Sequence, residues 1–192
     1  MNTTIESQLS FLCEIDKLKN VIRKSPLTDQ SRRENSAEHS WHLAMYALVL
    51  SDHANTNIDV GRVIKMLLIH DIVEIDAGDH PIHENVDLRA QEQLERNAAE
   101  RLFGILPGSQ AEELQDIWRE FEEGESDDAC FAKALDRLQP IIHNVVTAGG
   151  TWSEAKVNYQ QVQERYGPTI RGGSLNLWAY AKQLVTGHFN EK

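Results

Sequence analysis

The chain has 192 residues, of which 41% are hydrophobic and 26% charged, and its formal net charge is −11. This size and composition fit one globular domain with a substantial core, and no apolar run reaches the roughly 18 residues of a membrane-spanning helix. The acidic charge argues against a nucleic acid polymer or an anionic membrane as partner, but leaves a small phosphate ligand open. The two cysteines fit no metal spacing and are expected to be reduced and buried. Without a recognisable signal peptide, the sequence predicts a cytoplasmic protein.

The hydrophobic pattern predicts helices along nearly the whole chain. They cover approximately residues 5–22, 35–53, 59–75, 86–103, 110–122, 127–148, 153–166 and 175–188. Glu38 lies three residues after Asn35, as in a capping box at the start of the second helix. Pro140 is expected to bend the sixth helix, and Gly167 with Pro168 to separate the last two. Because no alternation of apolar and polar residues indicates a strand, the fold class is predicted to be an all-α bundle of seven or eight helices.

Polar residues gather at the end of the predicted third helix, directly after the apolar run 63–69. His70 and Asp71 end this run, and Glu74 and Asp79 follow closely. Adjacent His and Asp side chains at the end of a buried helix can both reach one metal ion. A lone His-Asp pair also occurs by chance, so the prediction of a metal site depends on further donors elsewhere in the chain.

Two distant residues complete a candidate set of four ligands. His39 lies in register with Leu43 and Leu50 on the inward face of the predicted second helix, and Asp136 lies in the sixth. An inward-facing His is commonly a satisfied core residue, but the His-Asp pair downstream favours ligation. Two imidazoles and two carboxylates suit Mn, Fe, Co, Ni or Zn rather than Ca. Such an ion lowers the pKa of bound water and polarises a phosphoryl oxygen.

Two carboxylates beside this set are candidate catalytic groups. Glu74 lies three residues after Asp71 on the same side of the helix, where it could move a proton; the alternative is a capping or surface carboxylate. Asp79 follows Gly78 in a predicted turn, where it could contact the substrate or orient the attacking water; the alternative is an ordinary Asx-turn. Cations that could hold a phosphate group are Arg23, Arg32, Arg33 and Lys133.

Three stretches, RRENSAEHSW (32–41), HDIVEIDAGD (70–79) and KALDRLQP (133–140), resemble motifs of the HD superfamily of metal-dependent phosphohydrolases, and within it the 5′-deoxynucleotidases. The resemblance covers about residues 10–145 and implies a single HD domain over 1–192, with C-terminal helices over 151–190. It implies an α-helical, commonly dimeric enzyme that removes phosphate from deoxynucleoside 5′-monophosphates with a divalent transition metal. By motif match, the metal ligands would be His39, His70, Asp71 and Asp136, and the catalytic and substrate-contacting carboxylates Glu74 and Asp79.

The sequence departs from this resemblance at two places. An Arg-Trp pair that helps to read the sugar in deoxynucleotidases corresponds to Arg23-Lys24 here, and residues 80–87 have a composition of their own. Sugar selectivity is therefore open, as is a second metal near His80 or His83.

Two other functions remain as alternatives. The first is hydrolysis of another phosphate ester, such as a guanosine tetraphosphate or a cyclic nucleotide. Enzymes that act on the tetraphosphate alarmone typically carry Glu-Asp after the His-Asp pair, whereas Ile75 follows Glu74 here, which counts against them. The second is a non-catalytic helical binding module that keeps the metal for stability, against which the intact Glu74 and Asp79 argue.

Overall fold

The structure, a computed structural model, describes residues 3–84 and 86–190, and most of them are helical. The helices are α1 (Thr3–Ile15), α2 (Ser36–Leu50), α3 (Val60–Ile69), α4 (Glu74–Ala77), α5 (Leu88–Phe103), α6 (Gly108–Glu123), α7 (Asp127–Val146), α8 (Gly150–Glu154), α9 (Tyr159–Gly173) and α10 (Leu175–Asn190). The described residues also form 3-10 segments at Asp16–Asn20, Ser51–His53 and His70–Val73. Apart from the short segments α4 and α8, the described helices number eight, so the predicted all-α bundle is confirmed. None of these helices is both long and apolar enough to traverse a membrane.

Helix α7 lies at the centre of the bundle, in contact with α2, α3, α9 and α10. It buries Phe131, Leu135 and Ile141 completely, and Leu43 of α2 and Met66 of α3 are equally buried. Removing a side chain of this size from water contributes about 1.5–3 kcal/mol. This packing fixes the faces of α2, α3 and α7 that carry the candidate metal ligands.

Side-chain caps set the starts of α2 and α3, and the cap on α2 is the one that the sequence predicts. The side-chain oxygen of Asn35 accepts a hydrogen bond from the backbone N–H of Glu38 at 3.0 Å, and the Glu38 carboxylate accepts one from the N–H of Asn35 at 3.3 Å. Asp59 likewise accepts from the N–H of Arg62 at 3.2 Å. Such a cap contributes about 0.5–2 kcal/mol. The cap on α2 fixes the register in which His39 faces the core.

The region before α2 differs from the predicted single helix over residues 5–22. Helix α1 is shorter, and after a 3-10 turn the chain forms strand β1 (Ile22–Pro26), which pairs antiparallel with β2 (Arg33–Asn35). Strands of five and three residues are too short to show alternation in the sequence, and their backbone pairing stabilises them instead. The hairpin matters because it carries Arg23 and Glu34.

Helix α9 continues through Gly167 and Pro168, where the sequence predicts a break. A Cβ atom at Gly167 would lie 2.7 Å from the ring of Trp178, so the absence of a side chain allows α9 to pack closely on α10. A proline inside a helix costs about 3 kcal/mol. Packing of α9 against both α7 and α10 outweighs this local cost.

The cysteines differ from expectation in their burial. Cys13 is exposed and Cys130 is half-buried, so the prediction that both are buried is wrong. Both thiols are free, and that of Cys130 donates to the carbonyl of Gly124 at 3.2 Å.

Candidate active site

The four candidate metal ligands converge where α2, α3 and α7 meet. The Nε2 atom of His39 lies 3.1 Å from Oδ1 of Asp136, and Nε2 of His70 lies 3.8 Å from the same oxygen. Asp71 joins them, because its Oδ1 lies 3.0 Å from Nε2 of His70. One donor atom each from His39, His70 and Asp136 lie within 4.8 Å of one another. The structure therefore brings the four residues together.

The end of α3 explains how two adjacent residues reach one point. Side chains that follow each other in a regular helix leave it about 100° apart. Here α3 ends at Ile69, and the chain continues as the tighter 3-10 turn that begins with His70 and Asp71. Both side chains point from this helix end toward the cluster. His70 is 5% exposed and Asp71 is 8% exposed.

Both imidazoles have a polar group behind Nδ1, a hydrogen-bonded carbonyl for His70 and a more distant carboxylate for His39. Nδ1 of His70 lies 2.9 Å from the carbonyl oxygen of Leu67, and Nδ1 of His39 lies 3.4 Å from a carboxylate oxygen of Glu34. Each ring therefore presents Nε2 to the cluster. A histidine that binds a metal ion usually has its second nitrogen held in this way. The buried Nε2 atom of His70 has no hydrogen-bond partner among the described residues, as expected of an atom that faces a metal ion.

The charges of the cluster also fit a cation. Burial works to lower the pKa of His70, but the charge of Asp71 and the contact with Asp136 outweigh it and hold that pKa well above its usual value. Burial works to raise the pKa of Asp136, but its contacts with His39 and His70 hold it well below the usual range. The carboxylates thus draw positive charge into a buried site. A divalent cation would supply that charge in place of the imidazolium proton.

Arg23 of β1 is surrounded by carboxylates. One terminal nitrogen lies 3.1 Å from Oδ2 of Asp71 and 3.7 Å from Oδ1 of Asp79, and Nε lies 3.6 Å from Glu34. Burial acts to lower the pKa of the guanidinium, but the charges of Asp71 and Asp79 outweigh it, so the group stays charged. The contact with Oδ2 leaves Oδ1 of Asp71 directed to the cluster.

Glu74 and Asp79 lie beside the cluster, and both residues are partly buried. The hydroxyl of Ser36 donates a hydrogen bond to Glu74 at 2.5 Å. Burial, followed by the charge of Asp71, raises the pKa of Glu74 well above its usual range. Burial also raises the pKa of Asp79. The residue before it, Gly78, has a positive φ of 79°. A raised pKa favours the protonated form of a carboxyl group, which is the form that an acid catalyst must supply.

A cavity of about 460 Å³ opens onto this cluster. This volume lies within the range of small-molecule sites. Its wall includes His70, Asp71, Glu74, Asp79 and Asp136 together with Arg23, Lys24, Lys133 and Arg137. The ammonium of Lys133 lies 3.8 Å from Glu122 and 4.9 Å from the centre of the Phe121 ring. Lys133 therefore has one long ion pair, which leaves donors available for a ligand.

Arg32 and Arg33 are placed elsewhere. Arg32 makes two hydrogen bonds to Glu38, at 2.8 and 2.7 Å, on the exposed start of α2. Arg33 makes two bonds of 3.0 Å to Glu154 of α8 and donates to the carbonyl of Lys24. Neither arginine is among the residues that line the cavity. Of the four predicted phosphate-binding cations, the structure therefore brings Arg23 and Lys133 to the site.

A buried polar network behind the cluster includes side chains that no sequence motif predicts to be functional. The amide of Gln139 donates to Glu34 at 2.9 Å, and the same nitrogen lies 3.1 Å from Nε2 of His143. Nδ1 of His143 in turn lies 3.2 Å from the carbonyl oxygen of Pro26. The network ties α7 to the hairpin and supports the Glu34 carboxylate behind His39. In sequence, the only signal for Glu34 is its position within the stretch 32–41.

The sequence model of a family described as HD domain matches residues 15–178. The chain belongs to the HD-domain family. The 5′-deoxynucleotidase HDDC2 of Homo sapiens is 28% identical over 137 residues, which cover 71% of this chain and 66% of that protein. The 5′-deoxynucleotidase YfbR of Escherichia coli is 33% identical over 120 residues, which cover 58% and 57%. The chain thus matches about two thirds or less of the length of these curated relatives.

Solved structures share the fold of this HD-domain chain. A protein of Magnetospirillum magnetotacticum MS-1, described as a predicted metal-dependent phosphohydrolase, is 51% identical with a TM-score of 0.93, over 98% of this chain and 94% of that one. A protein of Pyrococcus horikoshii OT3 is 22% identical with a TM-score of 0.61, over 96% and 99%, and shares the fold alone. The resemblance to the HD superfamily that the sequence motifs indicate is confirmed.

Proposed function

We propose that this HD-domain protein is a metal-dependent phosphohydrolase that removes phosphate from deoxynucleoside and nucleoside 5′-monophosphates. The observation that carries the proposal is the convergence of two imidazoles and two carboxylates beside a cavity, with His70, Asp71 and Asp136 on its wall and His39 buried behind them. A buried acid and cationic side chains line the same cavity. The names of the curated relatives, which are 5′-deoxynucleotidases, support the substrate class.

The residues that would hold the metal are His39, His70, Asp71 and Asp136. Their nitrogen and oxygen donors suit Mn, Fe, Co, Ni or Zn. When bound, such an ion polarises a phosphoryl oxygen and lowers the pKa of a coordinated water. Arg23 would hold the Asp71 carboxylate in place, since its contact occupies the oxygen that faces away from the cluster.

Glu74 is proposed to transfer a proton during the hydrolysis. Water adds to phosphorus, the bond from phosphorus to the 5′ oxygen breaks, and the nucleoside oxygen needs a proton as it leaves. The raised pKa of Glu74 favours the protonated form, which can donate this proton. Asp79, on the same wall, is proposed to contact the substrate, and Lys133 to offset the charge of the phosphate.

A phosphate-release assay on a panel of nucleotides tests this proposal. The panel contains AMP, dAMP, the matching 3′-monophosphate, a cyclic nucleotide and a guanosine tetraphosphate, each with and without added divalent metal. We expect release from the 5′-monophosphates only, and only with metal. Faster turnover of the cyclic nucleotide or the tetraphosphate would favour the alternative esters. No release from any of them by metal-loaded protein would favour a binding module.

Glu34 is expected to support metal affinity without touching the metal. Its carboxylate lies behind His39, and losing such a partner typically weakens metal affinity by about 10–100-fold. Glu34→Gln should show this loss in a competition titration with a chelator. Glu113→Gln is the matched control, because Glu113 pairs with Lys65 on the surface, away from the site. Equal metal affinity in Glu34→Gln and wild type would contradict the role.

Sugar discrimination is expected to be weak. Lys24 lies on the cavity wall, at the position where the resemblance to deoxynucleotidases implies a tryptophan. A flexible side chain restricts a ribose less than a fixed ring does. We expect a preference for dAMP over AMP below about a hundredfold in kcat/KM, which corresponds to roughly 2.7 kcal/mol. Steady-state kinetics on both nucleotides measures it, and Lys24→Trp should raise the preference. A larger preference in the wild type would contradict the expectation.

A homodimer is proposed as the solution state. Trp41, Met45 and Leu48 lie on one face of α2, and their exposed fractions are 62%, 40% and 56%. An apolar stripe of this kind on a surface often marks a protein contact. Light scattering should give twice the chain mass of 21.8 kDa, and Trp41→Asp should halve it. Leu88→Asp, on an exposed leucine of α5, is the control and should stay dimeric. A wild-type monomer at micromolar concentration would contradict the proposal.

The cytoplasm is the proposed location. The thiols of Cys13 and Cys130 are both free. Free thiols persist where glutathione keeps the compartment reducing.

A further inference from the structure

Arg137 is a cation of the cavity wall whose charge is largely unpaired. Its guanidinium makes no hydrogen bond within the described part of the chain, and the nearest carboxylate oxygen there is Oδ2 of Asp136, at 3.9 Å. Arg23, on the same wall, contacts three carboxylates instead. A guanidinium carries five N–H donors and no acceptor. The donors of Arg137 are therefore available to an anionic ligand.

The Arg137 guanidinium lies beside the proposed metal site. Oδ1 of Asp136 contacts His39 and His70, whereas Arg137 approaches the same carboxylate from the side of Oδ2. Burial raises the pKa of Tyr166, and the charge of Arg137 acts against this rise, so the guanidinium also lies near that phenol. Asp136 and Tyr166 both belong to the cavity wall, and 38% of the Arg137 side chain is exposed. A ligand at the metal site can therefore reach its donors.

Arg137 forms a pair of cations with Lys133. The two residues are four positions apart in α7, so their side chains lie on the same face of the helix, about one turn apart. Lys133 also belongs to the cavity wall. Like charges at this spacing repel each other and destabilise a helix. An anion held between the two cations would offset this repulsion.

The phosphate end of a nucleotide suits this pair better than the nucleoside end. A guanidinium can donate two parallel hydrogen bonds to a phosphate group, and an ammonium supplies a point charge. The nucleoside end carries no charge and offers two cations no comparable partner. Once Asp136 binds a cation, it attracts Arg137 less strongly, and the guanidinium is free to bind the ligand.

We propose that Arg137 is a further substrate-binding residue, which donates hydrogen bonds to the phosphate group and acts together with Lys133. This inference rests on the proposed nucleotidase activity. It places the phosphate between the metal ligands and the exposed end of the Arg137 side chain.

The test compares Arg137→Gln, which removes the charge, with Arg137→Lys, which keeps the charge but loses the paired donors. Calorimetry measures the binding of inorganic phosphate to the metal-loaded protein, and metal analysis checks that the variants carry equal metal. Arg137→Gln should weaken phosphate binding about thirtyfold, or roughly 2 kcal/mol, as expected for a hydrogen bond to a charged group. Arg137→Lys should lie between this variant and the wild type. Arg119→Gln, at an exposed arginine of α6 that pairs with Asp116, is the control and should bind phosphate as the wild type does.

Kinetics on two esters then locates Arg137 along the substrate. The esters are dAMP and p-nitrophenyl phosphate, which has neither sugar nor base. Because both carry the same phosphate group, kcat/KM should fall by a similar factor for both in Arg137→Gln. A fall for dAMP alone would overturn the inference, since it would place Arg137 at the nucleoside.

Three binding results would also overturn the inference. The first is unchanged phosphate affinity in Arg137→Gln, and the second is an equal loss in Arg119→Gln, which would indicate a general effect of charge. The third is a loss of metal that accounts for the weaker binding. If the wild type hydrolyses no nucleotide, the proposed function fails, and the phosphate titration still decides the inference. Binding that Arg137→Gln weakens then supports it, whereas equal binding, or no binding by the wild type, overturns it.

Discussion

Asp71→Ala is expected to remove the bound metal from the purified protein. Asp71 supplies one of two anionic donors in the proposed site and lies 3.0 Å from Nε2 of His70. Without it, the cluster keeps one carboxylate and two imidazoles, and Arg23 loses its closest partner and stays buried beside the site. Both changes weaken the binding of a divalent cation. Metal analysis of the purified protein should find about one ion per chain in the wild type and little in the variant.

The controls separate ligand loss from unfolding. Asp76→Ala removes an exposed carboxylate from the same region, one that pairs with Arg101, and should keep its metal. Asp71→Asn keeps the shape of the side chain, so it tests the same loss of charge if Asp71→Ala fails to fold. Circular dichroism measures whether each variant is folded. Equal metal content in wild type and in both Asp71 variants would remove Asp71 from the ligand set.

Glu74→Gln is expected to keep the metal and the fold and yet lose most turnover. The amide resembles the neutral acid, which the raised pKa of Glu74 favours, and the hydroxyl of Ser36 can still donate to its carbonyl oxygen. An amide cannot transfer the proton, and losing a positioned acid or base typically costs about 10²–10⁴-fold in rate. Steady-state kinetics on dAMP should therefore show a fall in kcat with little change in KM.

Glu74→Ala provides the second arm of this test and should show a similar fall in kcat. Glu100→Ala, on the exposed side of α5, is the control for charge removal. Near-wild-type kcat in both Glu74 variants would refute the proposed proton transfer. A fall in metal content that matches the fall in kcat would instead make Glu74 a part of the metal site.

The sequence predicts helices well here and short backbone-paired elements poorly. The capping box at Asn35 and the apolar spacing of α2, α3 and α7 are local signals, and the structure bears them out. The hairpin of β1 and β2 depends on pairing between segments that show no periodicity of their own. Helix α9 passes Pro168 because contacts with α7 and α10 override a local breaker, and such contacts are not visible in one sequence.

In the candidate site too, some residues can be predicted from the sequence and others cannot. Spacing and motif resemblance suffice to select His39, His70, Asp71 and Asp136, which the structure brings together. Proximity in sequence does not say where a long cationic side chain points, and so Arg32 and Arg33 turn to surface carboxylates.

Buried polar residues outside a motif are the hardest to predict. Glu34 and Gln139 derive their role from a network that joins two distant segments.

Reconstitution of metal-free protein tests the central claim most directly. The protein is stripped with a chelator, loaded with increasing amounts of one divalent transition metal, and assayed for phosphate release from dAMP at each step. The account predicts that the rate rises in proportion to bound metal and levels off at about one ion per chain. Phosphate release from dAMP that does not depend on bound metal, or fully loaded protein that releases none, would contradict it.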